Sequence, residues 1–472
     1  MEGAQSPRPR DPMSGAQPLG LILRDGSRVG IVGGGPAGSL TAYFLLTFAQ
    51  RVGLDLGVDI YEPRDFTTAG PGGCNMCGGI VSESLVQAMA MEGIDLPPTV
   101  VQRGLDSYVL HTDRRRVRVD TPLGEKRIAA VHRGGGPRDV LAVKWGGLDG
   151  HLLNLAQDRG AKVAAARVAE VGWDGGRPQI RLKTTVRTYD LVVGASGVNS
   201  AGWQLFEQLG VRGTRPRTTK AYITELHLGD DAVSGLFGTS MHMFLLDIPR
   251  LDCAAIIPKG DYLTVCLLGQ DIDRELVTAF FESPVVRRCF PAGWQVEEGA
   301  CHCSPKINVG AASRPFADRV VLVGDCGVTR LYKDGIGAAY RTAKAAAGTA
   351  IFRGVAAGDF RHHYWPTYRA IARDNAFGRL IFALVHGVKA FPPLLRGTLA
   401  MAADEHLASG PARRMSIVLW DTFTGSAPYR EIFFRTLDPR FVGRLLWHSA
   451  RAWNGAADTT GRYEGAKEAG HG

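Results

Sequence analysis

Between Arg28 and Glu62 the hydrophobic pattern changes twice, from the short apolar run of a buried strand to a helical spacing and back. The run RVGIV predicts a strand, the apolar-rich stretch after it predicts a long helix, and VDIYE predicts a second strand that ends in an acid. Gly33, Gly35 and Gly38 separate the first strand from the helix with the spacing G-x-G-x-x-G. This order is typical of a dinucleotide-binding unit rather than of a merely glycine-rich turn.

Each glycine of this turn has a distinct predicted role. Gly33 permits the tight turn, Gly35 lets a pyrophosphate approach the backbone, and Gly38 lets the helix pack on the strand. The phosphates are expected at the helix N-terminus, where free N–H groups and the helix dipole favour negative charge. Glu62 is expected to accept hydrogen bonds from a ribose. The predicted phosphate-binding turn comprises Gly33, Gly35, Pro36, Ala37 and Gly38.

A second strand–turn–helix pattern lies far downstream, between Asp318 and Ala350. An apolar strand, Val320 to Val323, leads into Gly324 and Asp325, and a later turn opens a long alanine-rich helix. This pattern resembles the second FAD fingerprint of flavoproteins of the para-hydroxybenzoate hydroxylase type. The resemblance implies that Asp325 binds the ribityl chain and that the helix directs its positive end at the flavin. The turn that opens the helix comprises Gly335, Ile336 and Gly337.

Two fingerprints separated by most of the chain predict both the cofactor and the fold class. A dehydrogenase that binds only NAD has no need of the second half-site, so the pair favours FAD. The competing interpretation of the second pattern is an ordinary strand, turn and helix with a capping Asp. The predicted fold class is α/β: a Rossmann-like FAD-binding domain of the para-hydroxybenzoate hydroxylase type, an antiparallel β-sheet substrate domain and a helical C-terminal region.

The remaining patterns divide the chain into predicted regions. Alternating apolar and polar positions around Thr112 predict a two-stranded hairpin, and a helix ended by Gly160 is followed by a strand and by Val168. Four alternating segments between residues 218 and 299 predict the substrate sheet. The predicted regions are a disordered tail at 1–26, the first part of the FAD-binding domain at 27–217 with an insertion at about 100–150, the substrate domain at 218–299, the second part of the FAD-binding domain at 300–352, and helices at 353–472.

Composition narrows the functional classes. The 472 residues include 55 Lys and Arg against 46 Asp and Glu, a net charge of +9 that suits an anionic cofactor or a membrane surface. No aromatic-spaced basic repeat or zinc-finger pattern supports nucleic acid binding. The absence of an export signal, of a bilayer-length apolar run, and of an obvious disulfide framework among 8 cysteines predicts a cytoplasmic protein with free thiols.

Two C-terminal segments interleave apolar residues with Arg, Lys and Trp. These are RLIFALVHGVKAFPPLLRGTLAM and RFVGRLLWHSARAW. The pattern is typical of helices that lie on a membrane surface, and helices that pack on the flavin domain have a similar pattern. We therefore expect a cytoplasmic protein with peripheral contact to the cytoplasmic face of the membrane.

Two motifs between the fingerprints resemble those of one flavoprotein family. The segment GCNMCGGI, from Gly73 to Ile80, resembles the Cys-Gly-Gly segment of the geranylgeranyl reductase family. The segment IPKGD, from Ile257 to Asp261, resembles the F-P-K-G segment on that family's substrate sheet, although its aromatic residues are replaced. YDLVVGASGVNS resembles the D-x-x-x-G-A-D-G segment between the two halves, with Ser196 in place of the second Asp. The resemblance covers roughly residues 27–350.

The resemblance implies reduction of carbon–carbon double bonds in an isoprenoid or lipid substrate by hydride transfer from reduced flavin N5. NAD(P)H or a ferredoxin-type protein is the expected electron donor, and Cys77 is expected beside the flavin as an acid or redox modulator. Tyr332 is the predicted proton donor, and Lys333, with Arg330, is a predicted cation near the flavin or a substrate head group. The remaining residues predicted to contact the cofactor are Glu62, Arg64, Cys77, Gly78, Arg133, Val168 and Asp325.

Other interpretations stay open at this point. A flavin monooxygenase shares the fold, whereas the W-x-W-x-I-P motif of flavin halogenases is absent from the sequence. A membrane dehydrogenase that passes electrons to quinone and a flavin or thiol redox sensor are further alternatives. Cys74 and Cys77 form a C-x-x-C pair and Cys301 and Cys303 a C-x-C pair, so a redox pair or a metal site is conceivable. Because C-x-C is not a standard half-site, the sequence predicts no metal.

Overall fold

The computed structural model describes residues 21–75, 77–121, 128–138, 140, 143–200, 202–211, 213–296, 299–406 and 413–453. In the first half of the chain the strands are β1 (Ser27–Val32), β2 (Leu56–Tyr61), β3 (Ile80–Val81), β4 (Val101–Leu105), β5 (Ser107–His111), β6 (Arg116–Asp120), β7 (Ile128–Val131), β8 (Lys162–Ala164), β9 (Glu170–Asp174), β10 (Arg177–Arg181), β11 (Val186–Thr188) and β12 (Leu191–Gly194). The later strands are β13 (Arg217–Lys220), β14 (Tyr222–His227), β15 (Ser240–Phe244), β16 (Leu251–Lys259), β17 (Tyr262–Gly269), β18 (His302–Cys303), β19 (Lys306–Gly310), β20 (Phe316–Ala317) and β21 (Val320–Leu322).

The helices lie between these strands and over the C-terminal third. They are α1 (Pro36–Arg51), α2 (Glu83–Ala90), α3 (Leu148–Asp158), α4 (Gly202–Glu207), α5 (Asp230–Phe237), α6 (Arg274–Glu282), α7 (Pro284–Arg287), α8 (Gly335–Phe352), α9 (Ala357–Asp359), α10 (Trp365–Ala390), α11 (Pro392–His406), α12 (Arg414–Thr424), α13 (Tyr429–Thr436) and α14 (Pro439–Trp453).

A six-stranded sheet in the order β20-β21-β12-β1-β2-β8 forms the centre of the nucleotide domain. All its strands are parallel except β20, which pairs antiparallel at the edge. In register, Val32 lies opposite both Tyr61 and Gly194, and Gly194 lies opposite Leu322. The carboxyl ends of four parallel strands therefore meet at one edge, where α/β sheets bind ligands. This arrangement agrees with the predicted α/β nucleotide-binding domain.

Helices α1 and α8 pack against each other and against this sheet. Their buried residues belong to one core, which includes Phe44 of α1, Ala343 of α8 and Ile31 of β1. The β9-β10-β11 sheet has a separate core with Ile180 and Tyr189. Burial of apolar strands on both faces is what keeps a parallel sheet stable.

The substrate domain is a seven-stranded sheet in the order β18-β14-β17-β16-β15-β5-β6. It is antiparallel except where β15 and β5 run parallel. The predicted hairpin at Thr112 is confirmed as β5 and β6, and its strands extend this sheet rather than the nucleotide domain. Strand β18 lies beyond the predicted boundary at residue 299. The sheet is thus assembled from three separate stretches of sequence.

Helices cover both faces of the substrate sheet. On its outer face, α5, α6 and α7 contribute Val233, Phe280 and Val286 to a core shared with the sheet. On its inner face, α10 to α13 contribute Phe382, Trp420 and other buried residues. The C-terminal helices are therefore part of the substrate domain's core, because their apolar sides bury one face of this sheet.

The last residues of the predicted disordered tail, 21–26, are packed on the folded domain. Residues 1–20 lie outside the described residues, but Leu23 is buried in the nucleotide-domain core and Leu21 packs against it. The Val355 N–H donates a hydrogen bond to the Leu21 carbonyl at 2.5 Å. The two leucines gain enough burial to hold residues 21–26 on the folded domain.

Among the described residues, no helix alone has the length and apolar composition needed to cross a bilayer. Residues Ala357–Ala390 and Pro392–Glu405 meet those criteria only as a pair, and a 108° bend separates them.

Candidate active site

The first glycine turn leaves an open space at one residue and is tightly packed at its neighbours. Gly33 has φ of +107°, and a Cβ there would lie 2.5 Å from the Ala195 carbonyl oxygen. A Cβ at Gly38 would lie 1.8 Å from the Gly33 carbonyl oxygen. At Gly35 the nearest atom to an added Cβ is Nη2 of Arg133, at 3.8 Å. The turn is therefore a rigid cradle that is open at Gly35, beside the start of α1, where an anion is favoured.

Glu62 is oriented by two backbone N–H groups. Its carboxylate accepts hydrogen bonds from Gly34 N at 2.8 Å and from Arg64 N at 3.0 Å. The Arg64 side chain itself is exposed, and Val168 is buried in the core that contains Tyr61. Because each carboxylate oxygen has a second lone pair, Glu62 can still accept hydrogen bonds from ribose hydroxyls.

The second fingerprint contacts the first. Gly324 has φ of +73°, and a Cβ there would lie 2.6 Å from the Cβ of Ala37. A Cβ at Gly197, in the middle segment, would lie 3.4 Å from Asp325 Oδ1. Burial raises the pKa of Asp325, whereas the nearby Arg133 opposes that rise. The two fingerprints, separated by most of the sequence, thus form a single site.

Helix α8 begins where the sequence predicts, at Gly335, with Ile336 buried. A Cβ at Gly337 would lie 2.0 Å from Oδ1 of Asp334, which explains the glycine. Asp334 occupies the N-cap position without a side-chain capping bond. Its carboxylate instead forms ion pairs with Arg330 at 3.0 Å and Arg341 at 2.5 Å.

Arg133 lies at the glycine turn and forms a two-point ion pair. Its Nε and Nη2 donate to Asp149 at 2.9 and 2.8 Å, and Asn75 Nδ2 donates to the same carboxylate at 2.7 Å. Burial opposes its charge, yet Asp149, Cys77 and Asp325 together raise the pKa of Arg133. The neighbouring Trp145 indole donates to the Gly134 carbonyl at 3.1 Å. The geometry therefore favours Arg133 as the cation beside the fingerprints.

The Cys-Gly-Gly turn lies directly beneath the substrate sheet. A Cβ at Gly78 would lie 3.5 Å from Ile257 Cδ1 and 3.6 Å from Cys266 Sγ. Gly79 has φ of +63°, and a Cβ there would lie 1.9 Å from the Val131 carbonyl oxygen. The second glycine is required by close backbone approach, and the first presents Cys77 to the sheet.

A buried charged network joins the two segments that carry the family resemblance. Lys259 Nζ donates to the Cys77 carbonyl at 3.1 Å and lies 3.6 Å from Glu225 Oε1. The same oxygen accepts hydrogen bonds from His132 Nδ1 at 3.0 Å and from Thr264 Oγ1 at 3.2 Å. Lys259 is only 1% exposed. Although burial opposes its ionisation, His132 and Lys259 lower the pKa of Glu225 to about 2.

Sequence reasoning identified Lys259 as part of a motif but missed Glu225 and His132. The signal was present, because Glu225 interrupts the apolar strand YITELH and must find a partner if it is buried. The identity of that partner depends on strand pairing, which places Glu225 opposite Thr264.

A row of small or thin side chains crosses the inner face beside Cys77. Strand register places Ile223 opposite both Cys303 and Cys266, and Cys266 opposite Ala255. Ala255 and Cys303 are half-buried, so part of the surface at this row is open. Burial raises the pKa of Cys303 to about 12 and raises that of Cys266, so both thiols stay neutral.

Eight apolar residues of β15, of β16 and of the segment after β15 are buried core residues. They alternate between the two faces of the sheet. Met241, Met243, Leu245 and Ile257 belong to the inner core, and Phe244, Leu246, Ala254 and Ile256 to the outer core. Strand alternation explains this division, and neighbours such as Ala255 and Leu268 are only partly buried on the inner face.

The loop between Asp325 and Gly335 contacts the substrate sheet through Tyr332 and the C-terminal helices through Lys333. The Tyr332 hydroxyl donates to Asp252 at 2.8 Å, and Lys333 Nζ donates to the Asp421 carbonyl at 2.7 Å while lying 3.9 Å from the centroid of the Tyr429 ring. Burial, followed by the charge of Arg330, lowers the pKa of Lys333 to about 7. Their contact with a flavin stays a prediction.

Among the described residues, one group of side chains that can bind metals lies close together, and it does not include the cysteines singled out in the sequence. Ligand atoms of His111, His242 and Cys289 lie within 4.8 Å of one another, and all three residues are buried. His111 Nε2 and His242 Nδ1 are 3.2 Å apart and share a hydrogen bond. Metal coordination by both of these atoms would put a proton on His111 Nδ1, which is buried without a partner, so the pair fits a neutral hydrogen bond better.

The His111–His242 pair predicts acid sensitivity. Burial, followed by the charge of Arg116, lowers the pKa of His111 to about 4, and that of His242 is lowered too. The unfolded chain takes up this proton at about pH 6.5. Stability is therefore lost as the pH falls from 6.5 towards 4, by about 3 kcal/mol for His111 alone. Urea unfolding should show that the free energy of unfolding of His111→Gln, measured relative to the unmodified protein, rises as the pH falls from 6.5 to 4. A difference that is constant with pH would contradict the assignment.

No model of a protein family matches this chain, and no curated protein matches it. Solved structures match most of its length. A geranylgeranyl bacteriochlorophyll reductase-like protein from Thermoplasma acidophilum is 16% identical with a TM-score of 0.59, covering 89% of this chain and 99% of that one. A flavoprotein/dehydrogenase from Cytophaga hutchinsonii is 14% identical with a TM-score of 0.58, over 91% and 99%. A variant of the halogenase PltM in complex with FAD is 14% identical with a TM-score of 0.57, over 91% and 94%.

At these identities the similarities show the fold. The chain has the fold of FAD-dependent flavoproteins of the para-hydroxybenzoate hydroxylase type, as the two fingerprints predict. The set includes reductase-like proteins, dehydrogenases and halogenases, so the reaction has to be inferred from this chain's own site.

Proposed function

We propose that this protein is an FAD-dependent reductase of carbon–carbon double bonds in an isoprenoid or related lipid. The observation that carries the proposal is the contact between the Cys-Gly-Gly turn and the apolar inner face of the substrate sheet. Gly78 meets Ile257 and Cys266 there, beside the joined fingerprints. The same two segments carry the family resemblance, and Lys259 binds one to the other.

The residues at the fingerprints fit FAD in shape and charge. The open cradle at Gly35 and the start of α1 would hold the pyrophosphate, Glu62 the ribose and Asp325 the ribityl chain. The Arg133 guanidinium, held by Asp149, lies at the same place and would donate hydrogen bonds to the cofactor. When bound and reduced, FAD supplies the hydride for the alkene. NAD(P)H or a ferredoxin-type protein is the proposed source of electrons.

We infer that the substrate cleft lies at this row of half-buried residues and takes an apolar substrate, because the charged groups near Cys77 are paired. Lys259 is buried against Glu225, and Arg133 is bonded to Asp149. The neutral thiols of Cys266 and Cys303 add small apolar surface, which leaves room for a thin polyprenyl chain. A polar aromatic substrate of a hydroxylase would leave its polar groups unpaired in such a cleft.

The second hydrogen of the alkene arrives as a proton. We assign it to Cys77, which the turn presents to the cleft. Lys333 is a second candidate, because a pKa of about 7 allows it to exchange a proton near neutral pH. Tyr332 is a weaker donor, because burial and then Asp252 raise its pKa and its proton is already bonded to that carboxylate.

Anaerobic turnover tests this function. Purified protein reconstituted with FAD and reduced with dithionite is mixed with geranylgeranyl lipids, and mass spectrometry is expected to show two added hydrogens per reduced double bond. Reoxidation of the flavin should accompany each reduction, and Cys77→Ala is expected to slow it at least about 100-fold if the thiol supplies the proton. Lipid profiles of a deletion strain should show accumulation of unsaturated prenyl chains.

The alternatives predict different products. Oxygen consumption coupled to a hydroxylated or halogenated product would assign the protein to the monooxygenases, and anaerobic reduction of quinone would make it a quinone dehydrogenase. A bound flavin that bleaches with reductant but is inert toward every acceptor would favour a redox sensor. Unchanged isoprenoids in the deletion strain would remove the main support for the proposal.

A further inference from the structure

The C-terminal helices present a continuous exposed apolar surface that the core does not use. We define this surface, the C-terminal apolar face, by large apolar side chains of α10, α14 and the bend after α10. They are Leu380, Leu384, Phe391, Val442, Leu446, Trp447 and Trp453, all exposed. The rings of Phe391 and Trp453, with centroids 6.3 Å apart, join the two helices into one surface.

The orientation of α14 is fixed, so this exposure is built into the fold. Its buried side consists of Phe441, His448 and Ala452, at helical spacing. A Cβ at Gly397 of α11 would lie 2.2 Å from the Ser449 hydroxyl oxygen, which shows how closely the two helices pack. The opposite side of α14 is therefore held outward, where Leu446 is 61% and Trp453 is 66% exposed. A surface helix ordinarily carries polar residues at such positions.

The charged side chains of α14 itself are all basic. Helix α14 contains Arg440, Arg444 and Arg451 but no Asp or Glu. The Arg451 guanidinium lies 4.5 Å from the centroid of the Trp447 ring. Of the nearest acids, Asp438 pairs with Arg414, and Asp404 lies 3.7 Å from His448. Exposed Leu and Trp beside Arg, without acids, match the boundary between lipid headgroups and acyl chains.

We propose that the C-terminal apolar face docks this protein on an anionic phospholipid bilayer. The apolar side chains would enter the acyl boundary while Arg440 and Arg451 contact lipid phosphates. A bilayer fits better than a protein groove because the face is a ridge of two helices joined by the Phe391–Trp453 contact, and the charged residues of α14 are all basic. The inference does not depend on the reaction proposed above, since the same face would serve any substrate.

Liposome flotation of the FAD-loaded full chain tests the proposal. Binding is expected to vesicles of phosphatidylcholine with phosphatidylglycerol, to weaken at high salt, and to be poor with phosphatidylcholine alone. The double variant Leu446→Gln/Trp453→Gln should reduce the fraction bound at least about tenfold, because it removes two large apolar groups from the contact. Arg440→Gln/Arg451→Gln should reduce binding and flatten its salt dependence.

A matched control uses the same residue types elsewhere on the surface. Trp173 in β9 and Leu236 in α5 are 42% and 41% exposed and lie outside the face, so Trp173→Gln/Leu236→Gln should bind as the unmodified protein does. Equal flavin content and melting temperature verify that each variant is folded. The proposal is overturned if no vesicle binds, if Leu446→Gln/Trp453→Gln binds vesicles as well as the control Trp173→Gln/Leu236→Gln does, or if light scattering shows a dimer that Leu446→Gln/Trp453→Gln converts to a monomer. That last outcome would assign the face to a second copy of the chain.

Discussion

Gly35→Val is expected to abolish FAD binding while leaving the fold intact. The nearest atom to a Cβ at Gly35 is 3.8 Å away and φ there is −68°, so the backbone tolerates a side chain at this residue. The added methyl groups would occupy the space in which a pyrophosphate approaches the start of α1. We expect the Kd for FAD to rise at least about 100-fold, equivalent to about 3 kcal/mol. Flavin absorbance of the purified protein and titration calorimetry measure this effect.

Two other glycines make the result interpretable. Gly348→Ala in α8 should bind FAD normally, because its Cβ would have only an ordinary contact of 3.8 Å with Phe48. Gly38→Ala should lose both stability and FAD, because its Cβ would lie 1.8 Å from a backbone oxygen. A yellow, fully loaded Gly35→Val protein would show that the pyrophosphate does not bind at this turn.

Lys259→Met is expected to lower the free energy of unfolding by about 3–5 kcal/mol, because it leaves the Glu225 carboxylate buried without its cation. Glu225 would keep His132 and Thr264 as hydrogen-bond partners but would lack the ammonium 3.6 Å away. The Cys77 carbonyl would also lose its donor, so the Cys-Gly-Gly turn should exchange its amide hydrogens faster. Urea unfolding and hydrogen exchange measure the two effects separately.

A double variant isolates the charge. Lys259→Met/Glu225→Gln should recover at least about 2 kcal/mol of the loss, because the amide needs no cation and can still bond to His132. Lys220→Met, on exposed β13, should leave stability unchanged within about 0.5 kcal/mol. If the double variant is no more stable than Lys259→Met, the stabilisation does not come from this ion pair.

The sequence predicts the parts of this fold whose causes are local. The strand, turn and helix of residues 27–51 and the start of α8 at Gly335 follow from hydrophobic period and glycine spacing, and both appear as expected. The hairpin at Thr112 was predicted for the same reason. Its membership of the substrate sheet was not, because that depends on the parallel pairing of β5 with β15, more than a hundred residues away.

The site shows the same division between local and distant causes. Gly35, Glu62 and Asp325 follow from fingerprints, whereas the bond of Arg133 to Asp149 and that of Lys259 to Cys77 depend on how separate elements pack. Strand alternation assigns adjacent residues of the segment Met241 to Leu246 to opposite cores. Periodicity identifies a buried strand but does not distinguish a packed face from one that borders a cleft.

The interleaving of the two sheets has a consequence for how this chain is made. The nucleotide sheet combines β1, which is synthesised early, with β21 at Val320–Leu322, which is synthesised late. The inner face of the substrate sheet stays uncovered until α10 to α13 are available. A nascent chain that emerges from the ribosome therefore exposes unpaired strand edges and apolar surface until most of its length has been synthesised. With so many contacts between distant residues, folding should be slow and cooperative, and chaperones that shield partly synthesised chains should raise its yield.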